Sequence, residues 1–186
     1  MNKLLYFIFI FIFIYSTEIF ANENIMILKL KNGEVKIKLF FDIAPNHVKR
    51  FKTLANSNLY DGVVFHRVID GFMAQTGDVE FGNSLNEKYD LARAGTGGSD
   101  LPDLKSEFSN IAHQRGTLSM ARSTDPNSAN SQFFICLGEA PHLDRNYTAF
   151  GMVIEGMEHV DKIKKGEDPN GAVKNPDIIV NIRNLK

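Results

Sequence analysis

An arginine stands where a strand would normally place an apolar residue. Arg67 follows Phe65-His66 and precedes Val68-Ile69, and after Asp70-Gly71 come Phe72, Met73 and Gln75. Farther along, Gln132 and Phe134 lie in a second strand-like run. A guanidinium has a permanent charge and a rigid fork of donors, and each amide adds both donors and an acceptor. Interleaved with Phe72, Met73, Phe134 and Leu143, these groups have the composition of a ligand cleft: apolar walls with a few placed polar groups. A plainer reading stays open on the residues alone. Arg67 can be a surface arginine whose stem covers apolar neighbours, and the four apolar residues can be ordinary core.

Other chemistries find little support. No two of the five histidines (His47, His66, His113, His142, His159) lie three or four residues apart, and Cys136 is the only cysteine, so a zinc site is not expected. There is no Gly-x-Ser-x-Gly elbow. Gly95-Thr96-Gly97-Gly98 lacks the Lys-Ser/Thr of a phosphate loop. Asp168-Pro169-Asn170-Gly171 is turn chemistry without the periodic acidic ligands of a calcium loop. Hydrolase, kinase and dinucleotide readings fall away, and no cofactor or metal is implied. A formal net charge of −1, with basic residues dispersed, gives no footprint for nucleic acid.

The elements that must position these groups are mostly strands. Residues 25–31 and 34–40 alternate apolar and polar about Asn32-Gly33, a pair suited to a type I′ hairpin turn with φ > 0 at both positions. Pro45 opens a helix carrying Val48, Phe51, Leu54 and Ala55 at helical spacing. Strands are expected at 63–69 and 72–76, joined by Asp70-Gly71. The stretch 77–98 is a long polar loop, of the length usually reserved for function or mobility. Further strands read at 116–121, 132–137, 149–154 and 178–185, with a helix over 157–165. Eight short strands with hairpins and two helices point to a mainly β fold, a closed eight-stranded antiparallel β-barrel capped by two α-helices.

The N-terminus is of another kind. Lys3 is followed by a 12-residue apolar run from Leu4 to Tyr15, and small Ala21 offers a cleavage point. That pattern is a secretory signal peptide over residues 1–21, with a mature domain over 22–186 beginning at Asn22. The alternative is a retained anchor, although the run is short of the ~20 residues a spanning helix needs. Export implies a periplasmic or secreted protein without stable membrane association after cleavage. A single cysteine closes no internal disulfide, so stability must come from packing, with Cys136 inside the apolar run 133–137.

Three groups of residues resemble the cyclophilins. One is Phe65-His66-Arg67-Val68-Ile69-Asp70-Gly71-Phe72-Met73-Ala74-Gln75-Thr76-Gly77-Asp78; another is Ser119-Met120-Ala121-Arg122-Ser123 with Asn130-Ser131-Gln132-Phe133-Phe134-Ile135; the last is Leu143-Asp144 with Phe150-Gly151. The likeness runs through nearly all of the mature chain in order. It implies a peptidyl-prolyl cis-trans isomerase that assists protein folding, acts on proline-containing polypeptides and works as a monomer. By resemblance, Arg67 is the central catalytic residue, Phe72, Met73, Phe134 and Leu143 hold the proline ring, and Gln75 orients the arginine. Ala121 and Arg122 match the segment that pairs with the substrate backbone. His66, Gln132 and Tyr147 match further positions around the site. There are departures. His142 stands where the family commonly has the Trp tied to cyclosporin binding, Tyr147 where many members have His, and residues 78–94 form an insertion.

The chemistry of such a site is simple. Amide planarity gives rotation a barrier of ~18–20 kcal/mol. In the twisted state the prolyl nitrogen regains its lone pair and accepts a hydrogen bond. A donor placed there binds the transition state better than either ground state. Two other classes compete with this enzyme. One is a proline-peptide module that has lost turnover, against which the presence of Arg67 argues. The other is a barrel holding a small lipid, against which bulky Phe65, Phe133 and Phe150 argue, since small barrels are packed with side chains.

Overall fold

The computed structural model describes residues 24–185. The expected leader, residues 1–21, lies outside them. Eight strands follow in chain order: β1 (Ile25–Leu30), β2 (Gly33–Leu39), β3 (Arg67–Ile69), β4 (Met73–Thr76), β5 (Thr117–Met120), β6 (Phe133–Cys136), β7 (Ala149–Glu155) and β8 (Ile179–Asn184). Two α-helices, α1 (Pro45–Asn56) and α2 (Met157–Val160), and a 3₁₀ turn (Pro141–Leu143) complete the elements. All pairings are antiparallel, in the order β3-β4-β6-β5-β7-β2-β1-β8.

The sheet is curled but open, a half-barrel, where a closed barrel was expected. Its ends are β3 and β8, and among the described residues no ladder joins them. The segment ahead of β3 divides its hydrogen bonds between two neighbours. Val64 N–H donates to Gly82 O in the long loop (2.8 Å), while Phe65 N–H donates to Asp177 O (2.9 Å) and Val63 O accepts from Ile179 (2.8 Å). Among the described residues the seam is crossed by isolated bridges, Val64↔Ile178 and Arg67↔Ala172, and not by a continuous ladder. Closure needs a continuous staggered register, and residues shared with a loop cannot supply one.

Two local expectations also change. The first hairpin turns about Lys31-Asn32, because Gly33 already pairs with Leu30. Of the Asn32-Gly33 pair only Gly33 has a positive φ, 149°. The second helix ends at Val160 instead of continuing to 165. Past it the chain is drawn off to β3, where Gly166 N–H donates to Val68 O at 2.9 Å.

Period-two alternation sorts the strands into two faces. Val68, Ala74, Leu118, Phe133 and Ile135 enter the main core. There Phe51 of α1 packs on Tyr60, Phe133 and Phe150, with ring centroids 5.2–5.5 Å apart. Phe65, Phe133 and Phe150 are fully buried, so side chains fill the interior. Helix α1 has Pro at N1 and no side-chain cap of its own. Glu107 supplies the cap from a distance, accepting Asn46 N–H and His47 N–H, both at 3.1 Å.

Candidate active site

The other face of the alternation carries the chemistry. Register pairs Arg67 with Gln75 and Gln75 with Phe134, and it pairs Ile69 with Met73 and Met73 with Cys136. These residues form a second apolar cluster, separate from the main core, that includes Met73, Phe134, Cys136 and Leu143 with Phe72, Ala121 and Tyr147 packed against it. Phe72 reaches it from a β-turn closed by its own N–H to Ile69 O (3.1 Å). That turn needs a positive φ at its third residue, and Gly71 supplies one, 69°. Cys136 lies beneath the cluster, and burial pushes its thiol up to about 12, so it is an inert core group.

Above this floor lies a cleft of about 460 Å³, including its open mouth. Phe72, Met73, Phe134 and Leu143 form apolar walls, Arg67 and Gln75 edge one side, and Ala121, Arg122 and Tyr147 the other. Phe134 is held from behind by His113 (centroids 6.3 Å, stacked) and from the side by Tyr147 (6.0 Å, T-shaped). Arg122 lies over the Tyr147 ring at 4.5 Å, and its Nη2 donates to Asn146 O at 2.9 Å. A second cleft of about 630 Å³ shares Gln75, Ala121 and Arg122 with the first and adds Gln132. A third, on the far side of Arg67, is lined by His66, Gln75 and Asn170 among others.

Arg67 is held through two of its nitrogens, Nε and Nη1, the latter also lying 4.0 Å from Met73 Sδ. Nε donates to Asn170 O at 2.8 Å, and Nη1 reaches Gln75 Oε1 at 3.4 Å. Among the described residues Nη2 has no hydrogen-bond acceptor. Gln75 in turn donates to Gln132 Oε1 (3.0 Å), and Gln132 donates to Gly97 O (2.8 Å). The relay therefore ends on the long loop, whose root is Asp78. This buried carboxylate accepts backbone N–H groups from Glu80 (3.1 Å), Phe81 (2.9 Å), Gly95 (2.7 Å) and Gly97 (2.9 Å). His66 is buried under Gly95, and among the described residues neither ring nitrogen makes a hydrogen bond of normal geometry. Burial pushes its pKa down to about 4 despite the pull of Asp78, so the ring is neutral near pH 7.

The structure thus brings every expected residue to this cleft or its two neighbours. Sequence reasoning missed three contributors. Asn170 acts through its backbone carbonyl, which no motif records. Asp78 was visible only as the end of a motif. The buried His113 lies between Asp144 (Nδ1 to Oδ1, 3.0 Å) and Ser119 (Nε2 to Oγ, 2.9 Å). Burial lowers the pKa of His113 against the opposing pull of Asp144, so the ring is neutral near pH 7; Nδ1–H donates to Asp144, and Nε2 lies beside Ser119 Oγ, whose hydroxyl is also within hydrogen-bond distance of Thr148 O at 3.0 Å. Ser119 is fully buried, and this network braces Phe134 from behind. Among the described residues no group of His, Cys, Asp and Glu is arranged to hold a metal ion.

Comparison with known proteins agrees with this geometry. The family model described as "Cyclophilin type peptidyl-prolyl cis-trans isomerase/CLD" matches residues 25–184. A "Probable peptidyl-prolyl cis-trans isomerase" of Brucella suis is 58% identical over 159 residues, 85% of this chain and 81% of that protein. Human "Peptidyl-prolyl cis-trans isomerase-like 3" is 42% identical, covering 72% of this chain and 77% of its own. Among solved structures, a Cryptosporidium parvum cyclophilin type isomerase, crystallised in the presence of the dipeptide Ala-Pro, superposes with a TM-score of 0.73 at 28% identity, covering 87% of this chain and 99% of that one. A cyclophilin from Hirschia baltica gives a TM-score of 0.72 at 28% identity, covering 88% and 74%.

Proposed function

The chain belongs to the cyclophilin-type peptidyl-prolyl cis-trans isomerases, and we propose that Arg67 is the donor with which it lowers the rotation barrier of X-Pro bonds in exported or unfolded polypeptides. The single observation behind this reading is the unoccupied Nη2 of Arg67, held at the lip of a cleft walled by Phe72, Met73, Phe134 and Leu143. A proline ring is small and apolar and suits those walls. With the ring seated there, the prolyl nitrogen lies at the arginine's edge. In the planar ground state its lone pair is delocalised and accepts nothing. At the twisted state it accepts, and the donor then stabilises the barrier top selectively. A preplaced donor needs no reorganisation at the moment of reaction, which is why such groups contribute strongly.

The remaining parts follow from chemistry. Ala121 and Arg122 flank the cleft opposite Arg67 and offer backbone groups to an extended substrate, and Gln132 continues that wall. The enzyme acts as a monomer on proline-containing chains and assists their folding after export, since uncatalysed isomerisation takes tens to hundreds of seconds. The Ala-Pro dipeptide present with the Cryptosporidium relative supports a proline-containing substrate.

The test is a proline-limited peptide isomerisation assay on the domain with and without Arg67→Ala. Loss of one transition-state donor costs about 10²-fold or more in rate. A folded variant that keeps more than about half of the activity overturns the donor role.

A further inference from the structure

We propose that the Asp168-Pro169-Asn170-Gly171 turn is a positioning element for the catalytic guanidinium. The inference rests on the reading of Arg67 as the transition-state donor. The shorter of its two holds comes from this turn: 2.8 Å from Nε to Asn170 O, against 3.4 Å from Nη1 to Gln75 Oε1. The first is near the optimum for N–H···O and the second is long. A guanidinium is planar, so fixing the direction of Nε–H fixes the plane in which both Nη groups lie. Gln75, the expected orienting residue, is itself engaged with Gln132 and holds Arg67 only loosely.

The turn is fastened to the strand that carries Arg67. Val68 N–H donates to Gly171 O at 2.7 Å, Val173 N–H donates to His66 O at 3.1 Å, and Arg67 itself bridges to Ala172. The residues on both sides of Arg67 are therefore bonded to the segment that holds its side chain. Gly171 makes this approach possible. Its φ is +80°, and a Cβ there would lie 3.0 Å from the Val68 carbonyl and 2.5 Å from Ile69 Cγ1. The turn closes on itself through Gly171 N–H to Asp168 O at 2.9 Å. A side chain at 171 must push the turn off β3 and carry the Asn170 carbonyl away from Nε.

The experiment is a double-mutant cycle in the isomerisation assay, with Gly171→Ala made in the wild type and in Arg67→Ala. Gly171→Ala is expected to lower wild-type kcat about tenfold or more with little change in KM, since displacements of about 1 Å can cost 10²-fold. In the Arg67→Ala background it is expected to change the residual activity less than about twofold, as coupled residues are non-additive. Equal losses in both backgrounds, or an unaltered kcat in a folded Gly171→Ala protein, overturn the proposal. A second readout needs no stable variant at 171. The Arg67 Nε–H resonance, assigned by its disappearance in Arg67→Ala, should show slowed solvent exchange in the wild type. Fast exchange, like that of an exposed arginine, overturns the proposal. Activity surviving Arg67→Ala alone is a separate result that removes the donor role, and the exchange measurement then still decides whether the turn holds the guanidinium.

Discussion

Replacing Asp78 with Asn tests how the long loop is tied to the face that carries the cleft. The carboxylate is fully buried and receives four backbone N–H groups, Glu80 and Phe81 on Oδ1 and Gly95 and Gly97 on Oδ2. Asn keeps one acceptor oxygen and turns the other into an NH₂. Two of the four N–H groups then face a donor. Hydrogen bonds to a charged group contribute about 1.5–3 kcal/mol each, so two lost bonds cost roughly 3–6 kcal/mol. For a chain of this size about 2–4 °C is lost per kcal/mol, which bounds the fall in thermal midpoint at roughly 6–24 °C. The cheapest relief is local. The loop can undock as a unit while the sheet stays folded, and the global midpoint then falls less while amide exchange at Gly95 and Gly97 accelerates. Undocking withdraws Gly97 O from Gln132, which frees Gln75, but Arg67 keeps its bond to Asn170 O. The expected loss of kcat/KM is therefore modest, less than about tenfold, or ~1.4 kcal/mol. Hydrogen exchange, thermal unfolding and the peptide assay on one preparation check all three points. Unchanged protection at Gly95 and Gly97 with a midpoint shift below about 2 °C would refute the latch, since even one lost kcal/mol should be visible. Activity as low as that of Arg67→Ala in a folded Asp78→Asn protein would place the main hold on Arg67 in the loop and not in the turn.

Acidification should destabilise the protein through the Glu107 cap. Burial works against the Glu107 charge, but hydrogen bonds from His47 and Asn46 outweigh it and hold its pKa below the ordinary value, so its contribution is present above about pH 4.5 and lost as pH falls through the lower folded value. Burial also holds the His47 pKa below 6.5 despite Glu107, so the unfolded chain protonates first and stability already declines as pH drops below that value; urea unfolding at pH 7 and pH 4 should show the fall, and equal stability at the two values would contradict it. Cyclosporin should inhibit only weakly, because exposed His142, tilted against Phe72 with ring centroids 5.3 Å apart, gives less apolar area than an indole; His142→Trp should raise drug sensitivity at similar kcat/KM, and low-nanomolar inhibition of the wild type would contradict this. N-terminal sequencing of protein from the cell envelope should begin at Asn22, and an intact Met1 on a membrane-bound form would establish the anchor instead.

What could be read in advance follows the range over which each interaction acts. Apolar alternation is a local signal, and it marked the strands that carry Arg67, Met73, Gln75 and Phe134, while the face they share follows from the pairing register. Hairpin chemistry at Asp70-Gly71 then brought β3 beside β4. The open seam was hidden because it depends on Val64 choosing Gly82, a loop residue, as its acceptor. The early end of α2 was hidden because Gly166 bonds to Val68, nearly a hundred residues upstream. The cap of α1 by Glu107 and the gathering of Gly95 and Gly97 on Asp78 are long-range in the same way. Asn170 is a different case. Its contribution is a carbonyl oxygen, which every residue possesses, so the identity of the side chain at 170 carries no trace of it. The trace lies one residue later. A backbone acceptor can hold a side chain on a neighbouring strand only if the chain comes close, and close approach at positive φ selects glycine. Gly171 is thus the readable sign of what Asn170 does, and its meaning appears only once β3 is seen lying against it.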